Sequence, residues 1–432
     1  MVRRAVATDR HAVQPDQPPE LARELGVGDA VVVGLGAMIG AGVFAAIGPA
    51  ADAGPEALLV GLPLAGAVAY ANATSSAQLA AVHPASGGTY VYARERLTPF
   101  LGHLAGWGFV VGKTASCAAM AMTFGVYVAP ELATPLAAGA VVALSVLSAR
   151  GIRRTAIAMR IGLAVVLASL AAVVVASLTA PSLTASNLAP SGEAGVRDVL
   201  GAAGLLFFAF AGYARIATLG EEVRDPQRTI PRAVTLALGI TVAVYVVVAA
   251  SALAAVGADT LSSAEAPLAA AADAGRLPGL TPAVRVGGAV ASLSVLLSLL
   301  AGVGRTSFAM ARDRYLPDIL ATVHPRRHVP HLAQYAVGAT VVVVVVLADL
   351  RDAIGFSSFA VLVYYAVTNA AALRLTAAER RWPRWLAAAG LVGCVALAAS
   401  LPIIAVLGGV VLFALGALAY LLSRRRPPPA VG

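Results

Sequence analysis

Charge is what this sequence has least of. Only 12% of its 432 residues are Asp, Glu, Lys or Arg, about half of the roughly 25% that soluble domains carry, while 59% are hydrophobic. A soluble globular protein is excluded; a polytopic membrane protein is what such a composition builds. Cysteine is scarce too. Cys117 and Cys394 both fall in apolar runs, so neither a disulfide framework nor a cysteine-ligated metal is implied, and no cofactor is expected. Residues 1–20 are polar, carry prolines and lack an apolar core, which reads as a short cytosolic tail and not a signal peptide. Lysine is almost missing: of 31 basic residues one, Lys113, is a lysine. No acid lies deep in an apolar run, since Asp52, Glu56 and Glu131 sit at outer ends. No nucleophile–base pair or metal cluster stands out, which argues against an enzyme. The runs offer few polar groups to line a channel.

What the sequence does have is twelve apolar runs long enough to cross a bilayer, for which about 17–25 residues suffice. They cover approximately 29–50, 57–82, 100–129, 133–149, 156–179, 199–219, 232–256, 284–311, 332–348, 354–374, 385–401 and 403–422. The last two are nearly continuous and as one helix would measure about 57 Å. The hydrocarbon core is about 30 Å thick, so the chain is expected to fold back at Ser400-Leu401-Pro402. With the N-terminus inside, inner segments hold 24 arginines, and outer segments hold four, Arg197, Arg276, Arg285 and Arg351. This positive-inside bias places both termini in the cytosol. It also accounts for the net charge of +9 as orientation charge, so no nucleic-acid partner is expected. Residues 183–198 and 257–285 are the two longer connections, both outside and rich in Ala, Ser, Pro and Gly.

Glycine is concentrated in the first span, at Gly34, Gly36, Gly40, Gly42 and Gly48, although each costs about 1 kcal/mol against alanine inside a helix. Two readings stand. The glycines permit close helix packing, or the helix is interrupted at Gly40-Ala41-Gly42 and leaves bare backbone groups inside the membrane. Such groups are tolerated only when buried in protein or lining a cavity. A second candidate interruption lies in the sixth span, where Gly212 follows Phe207, Phe208 and Phe210 and precedes Arg215; an unbroken helix with a snorkelling Arg215 is the alternative. Interruptions five spans apart are the pattern of inverted-repeat transporters. The expected organisation is therefore a cytosolic tail over 1–28, repeats over 29–179 and 199–374, two further spans over 385–422 and a cytosolic tail over 423–432.

Four stretches resemble motifs of one family. LGAMIGAGVF at 35–44 resembles G-x-x-I-G-x-G-I-F; HPASGGTY at 83–90 resembles P-x-S-G-G-x-Y. Residues 207–232 resemble F-F-A-F-x-G-F-x-x-I-A-T-x-x-E-E-x-x-x-P-x-R-x-I-P-R, and Arg305 with AMARD at 309–313 and Leu316-Pro317 resembles the end of the eighth span. In this order they resemble the amino-acid permeases of the amino acid–polyamine–organocation superfamily, across most of spans one to ten. The resemblance implies a leucine-transporter-like five-plus-five inverted repeat with broken helices 1 and 6, and secondary transport of an amino acid or related amine.

The resemblance also implies a substrate site at the two breaks. N–H groups around Ile39, Gly40, Ala41 and Gly42 suit a carboxylate. Carbonyls of Phe207, Phe208 and Phe210, beside Gly212, suit an ammonium; simple core packing is the other reading of these rings. Many relatives carry an acid two residues after the sixth-span glycine, whereas this chain has Ala214 and then Arg215. Neutral amino acids are therefore the expected substrates. Glu221 and Glu222, amid Arg215, Arg224 and Arg228, are expected to form an inner gate. Some proton-coupled relatives use a fifth-span lysine; here the fifth span has none, and Lys113 on the third is the candidate coupling group. Unlike arginine, a buried lysine readily releases its proton. The expected coupling ion is a proton, with Na+ as the alternative, and a snorkelling Lys113 is the rival reading. An exchanger or exporter of the same fold, a channel and a non-transporting sensor are the competing functions.

Other motifs fail. Gly112-Lys113-Thr114 lacks the earlier glycine of a phosphate loop, since position 107 is Trp. Gly34, Gly36 and Gly40 are spaced one residue too far for a dinucleotide fingerprint. His324, His328 and His331 share an inner loop rich in Pro and Arg and are not expected to bind metal.

Overall fold

The computed structural model describes residues 25–83, 88–151, 156–217, 223–327 and 329–423. Its regular elements are helices, joined among the described residues by one isolated parallel bridge between Leu25 and Val223. All twelve expected spans are present. Among the described residues, nine helical segments are long and apolar enough to cross a membrane. A tenth span is the pair α1 (Val27–Met38) and α2 (Ala41–Ala51), bent by 49°. Two 17-residue apolar helices, His331–Leu347 and Arg384–Ser400, complete the set.

Local chemistry explains where the helices start and stop. α3 (Pro55–Val82) begins on a proline after Gly54, whose φ of 99° needs glycine. A short helix, α4 (Thr89–Arg96), precedes α5 (Pro99–Val128) on the arginine-rich face, termed inner, the opposite face being termed outer. There the Thr98 side chain accepts the Leu101 N–H at 3.2 Å, and Pro99 sits where a missing N–H does no harm. α6 (Ala133–Ala149) and α7 (Ala156–Leu178) follow. The sixth span is α8 (Val196–Phe210), a 3-10 turn over Ala211–Tyr213, and the four-residue α9 (Ala214–Ala217).

α10 (Pro226–Ser263) is kinked at Gly257, with φ 79°, one residue past the expected end of the seventh span. The outer connection 257–285, expected as a loop, is instead largely helical. It holds the end of α10, α11 (Pro267–Asp273) and the start of α12 (Leu280–Arg312). Its alanines explain the difference, since alanine is the best helix former. α13 (His331–Leu347), α14 (Leu350–Ala372), α15 (Arg384–Ser400) and α16 (Ile403–Ser423) finish the bundle. The turn between the last two falls at Leu401-Pro402, as the length argument requires.

Packing is built on small residues. α5 and α14 lie so close that a Cβ on Gly112 would stand 2.5 Å from Ala360 Cβ, and Ser116 and Ser357 hydroxyls meet at 2.5 Å. α16 is pinned to α5 by His103 Nε2 at 2.9 Å from the Gly416 carbonyl oxygen and by Trp107 Nε1 donating to the Leu412 carbonyl at 2.9 Å. At the inner rim Arg94 pairs with Asp313 at 3.0 Å, beside the Tyr90 hydroxyl. Arg96 grips Glu379 with two guanidinium nitrogens, which holds the Glu379 carboxyl down to about 2. These pairs fasten α4 to the end of α12 and to the connection between α14 and α15.

Candidate functional site

Both interruptions exist, and they meet. α1 ends at Met38; Ile39 (φ −76°, ψ 78°) and Gly40 (φ −135°, ψ −151°) are non-helical, and α2 restarts at Ala41. The break therefore lies at Ile39-Gly40, slightly earlier than the expected Gly40-Ala41-Gly42. Opposite it α8 stops at Phe210 and tightens into the 3-10 turn that contains Gly212. There the α-helical pairing of the last carbonyls of α8 gives way to the tighter 3-10 pattern before α9 resumes.

The glycines set how closely the two breaks cross. A Cβ on Gly212 would lie 2.0 Å from the Ala37 carbonyl oxygen and 2.9 Å from Met38 N. One on Gly42 would lie 2.5 Å from Ala209 Cα. Each break thus presses a glycine onto the backbone of the other. The two readings of the glycine-rich stretch are both realised, because interruption and close packing coincide. Gly42 is committed to a helix contact, so a larger side chain there disturbs the crossing itself. Gly40 meets the tip of the Val295 side chain, at 2.7 Å from the added Cβ, with the Met38 carbonyl oxygen next at 4.0 Å.

The site is buried. Ile39, Ala41, Phe207 and Phe210 are buried, and Phe208 is partly exposed. Phe207 packs edge-on against Tyr365, and Tyr213 lies 5.0 Å from the same ring. On the outer side Tyr127 donates to the Phe44 carbonyl at 3.2 Å and meets the Phe44 ring at 89°. A cavity of about 1100 Å³ opens at the outer rim, lined by Asp52, Arg197, Asp198 and Asp259 and reaching down to Leu205. None of the break residues lines it, so it is separate from the crossing.

Electrostatically, the crossing joins the N-terminal end of α2 to the C-terminal end of α8. Helix ends carry partial charges of about +0.5 and −0.5 respectively. The pair matches a carboxylate and an ammonium a few ångströms apart, and no ionised side chain is needed to make it.

Lys113 is buried, nearly midway along α5, but it does not join the breaks. Gly106 faces Met310, and Gly288 faces Tyr127, a register that sets Lys113 opposite 302–303 of α12. Gly40 faces Val295 on the same helix. Lys113 therefore lies roughly 11 Å nearer the inner rim than the break. Among the described residues no carboxylate forms an ion pair with it.

Arg215 is exposed on α9. Glu221 and Glu222 lie outside the described residues. Leu25, just before α1, pairs with Val223, just before α10, and the Arg224 N–H donates to the Leu25 carbonyl at 2.9 Å. Arg160 reaches Asp29 at 3.2 Å.

The residue that sequence reasoning missed is Tyr245 on α10. Its hydroxyl donates to the Met38 carbonyl at 2.6 Å and lies 3.3 Å from that of Ala209. The acceptor engaged at the end of α8 is thus Ala209, between the phenylalanines singled out. The available signal was a lone tyrosine in the valine-rich run 242–248, since a buried tyrosine hydroxyl usually has a partner.

Comparison with known proteins agrees with the fold. The family model for amino acid permeases matches residues 29–428. The chain is 56% identical over 409 residues to an uncharacterized transporter of Mycobacterium tuberculosis (strain ATCC 25618 / H37Rv), covering 95% of this chain and 93% of that one. It is 22% identical over 348 residues to a branched-chain amino acid permease of Bacillus subtilis (strain 168), covering 74% and 73% respectively. Among solved structures it resembles a manganese transporter variant of Eremococcus coleocola with a TM-score of 0.59 and 12% identity, over 94% of this chain and 97% of that one. That likeness concerns the fold, which is leucine-transporter-like with helices 1 and 6 broken. The chain belongs to the amino acid permease family of the amino acid–polyamine–organocation superfamily, a family of membrane transporters.

Proposed function

We propose that this protein is a secondary active transporter that moves a neutral amino acid across the cytoplasmic membrane by alternating access, coupled to protons. The observation that carries the proposal is the crossing of two interrupted spans at one buried place, with a helix N-terminus facing a helix C-terminus. The substrate carboxylate is held at Ile39, Gly40, Ala41 and Gly42. Its ammonium is held by carbonyls of the segment from Phe207 to Gly212. The side chain rests against Phe207, Phe208 and Phe210, which offer it apolar surface and no charge; this favours neutral substrates. Closure of the breaks from the outer cavity favours a carrier over a channel.

The five-plus-five repeats rock about this site, with both termini cytosolic. Arg215, Glu221 and Glu222 form the inner gate. Lys113, below the breaks, is the proton-exchanging group, because a buried lysine can lose the charge that arginine keeps. Reconstitution into liposomes tests the proposal. Saturable, concentrative uptake of a neutral amino acid that depends on an imposed pH gradient is expected. Downhill flux alone indicates a channel, obligatory countertransport an exchanger, and binding without flux a sensor.

A further inference from the structure

Tyr245 presents a hydroxyl to the backbone groups that the proposed substrate needs, and it does so from a third helix. The residue is completely buried, with its ring 5.3 Å from that of Phe210. Met38 is the last residue of α1, and Ala209 is the penultimate residue of α8. Both carbonyls belong to the set that a helix end leaves without intrahelical partners. Met38 O already accepts the Gly40 N–H at 2.8 Å, so Tyr245 takes its second lone pair. With one proton the hydroxyl makes its short bond to Met38 and keeps Ala209 as the longer partner. It joins α1, α8 and α10 at the level of the two breaks.

We propose that Tyr245 is a positioning residue that acts as an internal stand-in for the substrate ammonium. In the empty carrier its O–H caps the Met38 and Ala209 carbonyls and keeps the breaks together. An entering ammonium, with three N–H donors, displaces it from at least one of them. The inference rests on the reading that an amino acid binds at the breaks. Its consequence is that substrate binding competes with a hydrogen bond of the protein's own. Affinity is thereby held below what the bare carbonyls would give, and the empty state is spared unsatisfied buried acceptors.

Tyr245→Phe tests it, because the ring stays against Phe210 and only the hydroxyl goes. The purified variant and wild type are melted in detergent with and without a mixture of common neutral L-amino acids, and uptake is measured in liposomes. The empty variant should melt lower than wild type, and added amino acids should raise its melting temperature by more than they raise that of wild type. KM should fall about two- to tenfold, the equivalent of one net hydrogen bond, with kcat unchanged or reduced. A merely structural hydroxyl would lower active protein and leave KM where it was. An unchanged KM with equal ligand-induced stabilisation overturns the inference alone. Failure of amino acids to stabilise wild type overturns it together with the substrate reading. Should the variant not fold, 3-fluorotyrosine at position 245 of the otherwise native chain gives the same test: a substrate-induced shift of its fluorine resonance is expected, and its absence overturns the inference.

Discussion

The crossing of the two breaks makes one quantitative demand. Replacing Gly212 with alanine puts a methyl group 2.0 Å from the Ala37 carbonyl oxygen and 2.4 Å from its carbon. Ordinary contact begins near 3.4 Å, so the backbone at the end of α1 must retreat by roughly 1.4 Å, at a place where every neighbour is packed. Gly212 does not have a positive φ, so the effect is steric and not conformational. Overpacking of this kind costs about 1–3 kcal/mol, and the backbone character of the clash puts this case at the upper end. Gly36 supplies the control. It lies in α1 with nothing within 4 Å of an added Cβ, and alanine there should stabilise by about 0.5–1 kcal/mol. In detergent melting, Gly212→Ala should fall by roughly 3 °C and lose uptake, whereas Gly36→Ala should hold or rise and keep it. Equal melting temperatures and equal uptake for the two variants would refute the crossing as described.

Further consequences follow from individual residues. Gly42→Leu, pressed against Ala209, should abolish uptake and also destabilise by about 3 kcal/mol; a stable, fully active variant in melting and uptake assays contradicts that contact. Lys113→Arg should stop uptake or remove its pH dependence, and an unchanged pH profile of initial rates excludes Lys113 from coupling. Changing Glu221 and Glu222 together to Gln should alter transport rate more than melting temperature; the reverse outcome makes them structural. Glu379 has a folded value near 2 against 4.5 when free. Its contribution is therefore present above 4.5 and lost as the pH falls toward 2. The melting difference between wild type and Glu379→Gln should shrink over that window; a difference that grows in acid contradicts the clamp.

Much of this architecture was legible because membrane folding leaves coarse signals. Run length gave all twelve spans, and Pro402 with the thickness of the bilayer gave the final turn. Gly40 and Gly212 disclosed the breaks, because glycine at such density has few uses inside a membrane. The connection 257–285 was misread because its Ala, Ser and Pro content resembles a loop; its alanines form helix once Gly257 turns the chain. Tyr245 escaped notice because its role depends on a carbonyl over 200 residues away in sequence, and no local pattern encodes that contact. Lys113 stood out by type, yet its depth relative to the breaks needed the register between α5 and α12.

The account turns on where the substrate sits, and a structure of the protein determined with a transported neutral amino acid decides it. The ligand should lie between the two breaks, its carboxylate at the N–H groups of Gly40 to Gly42 and its ammonium on carbonyls of the segment from Phe207 to Gly212. A ligand in the outer cavity among Asp52, Arg197 and Asp259, with the crossing still closed on itself, would contradict it.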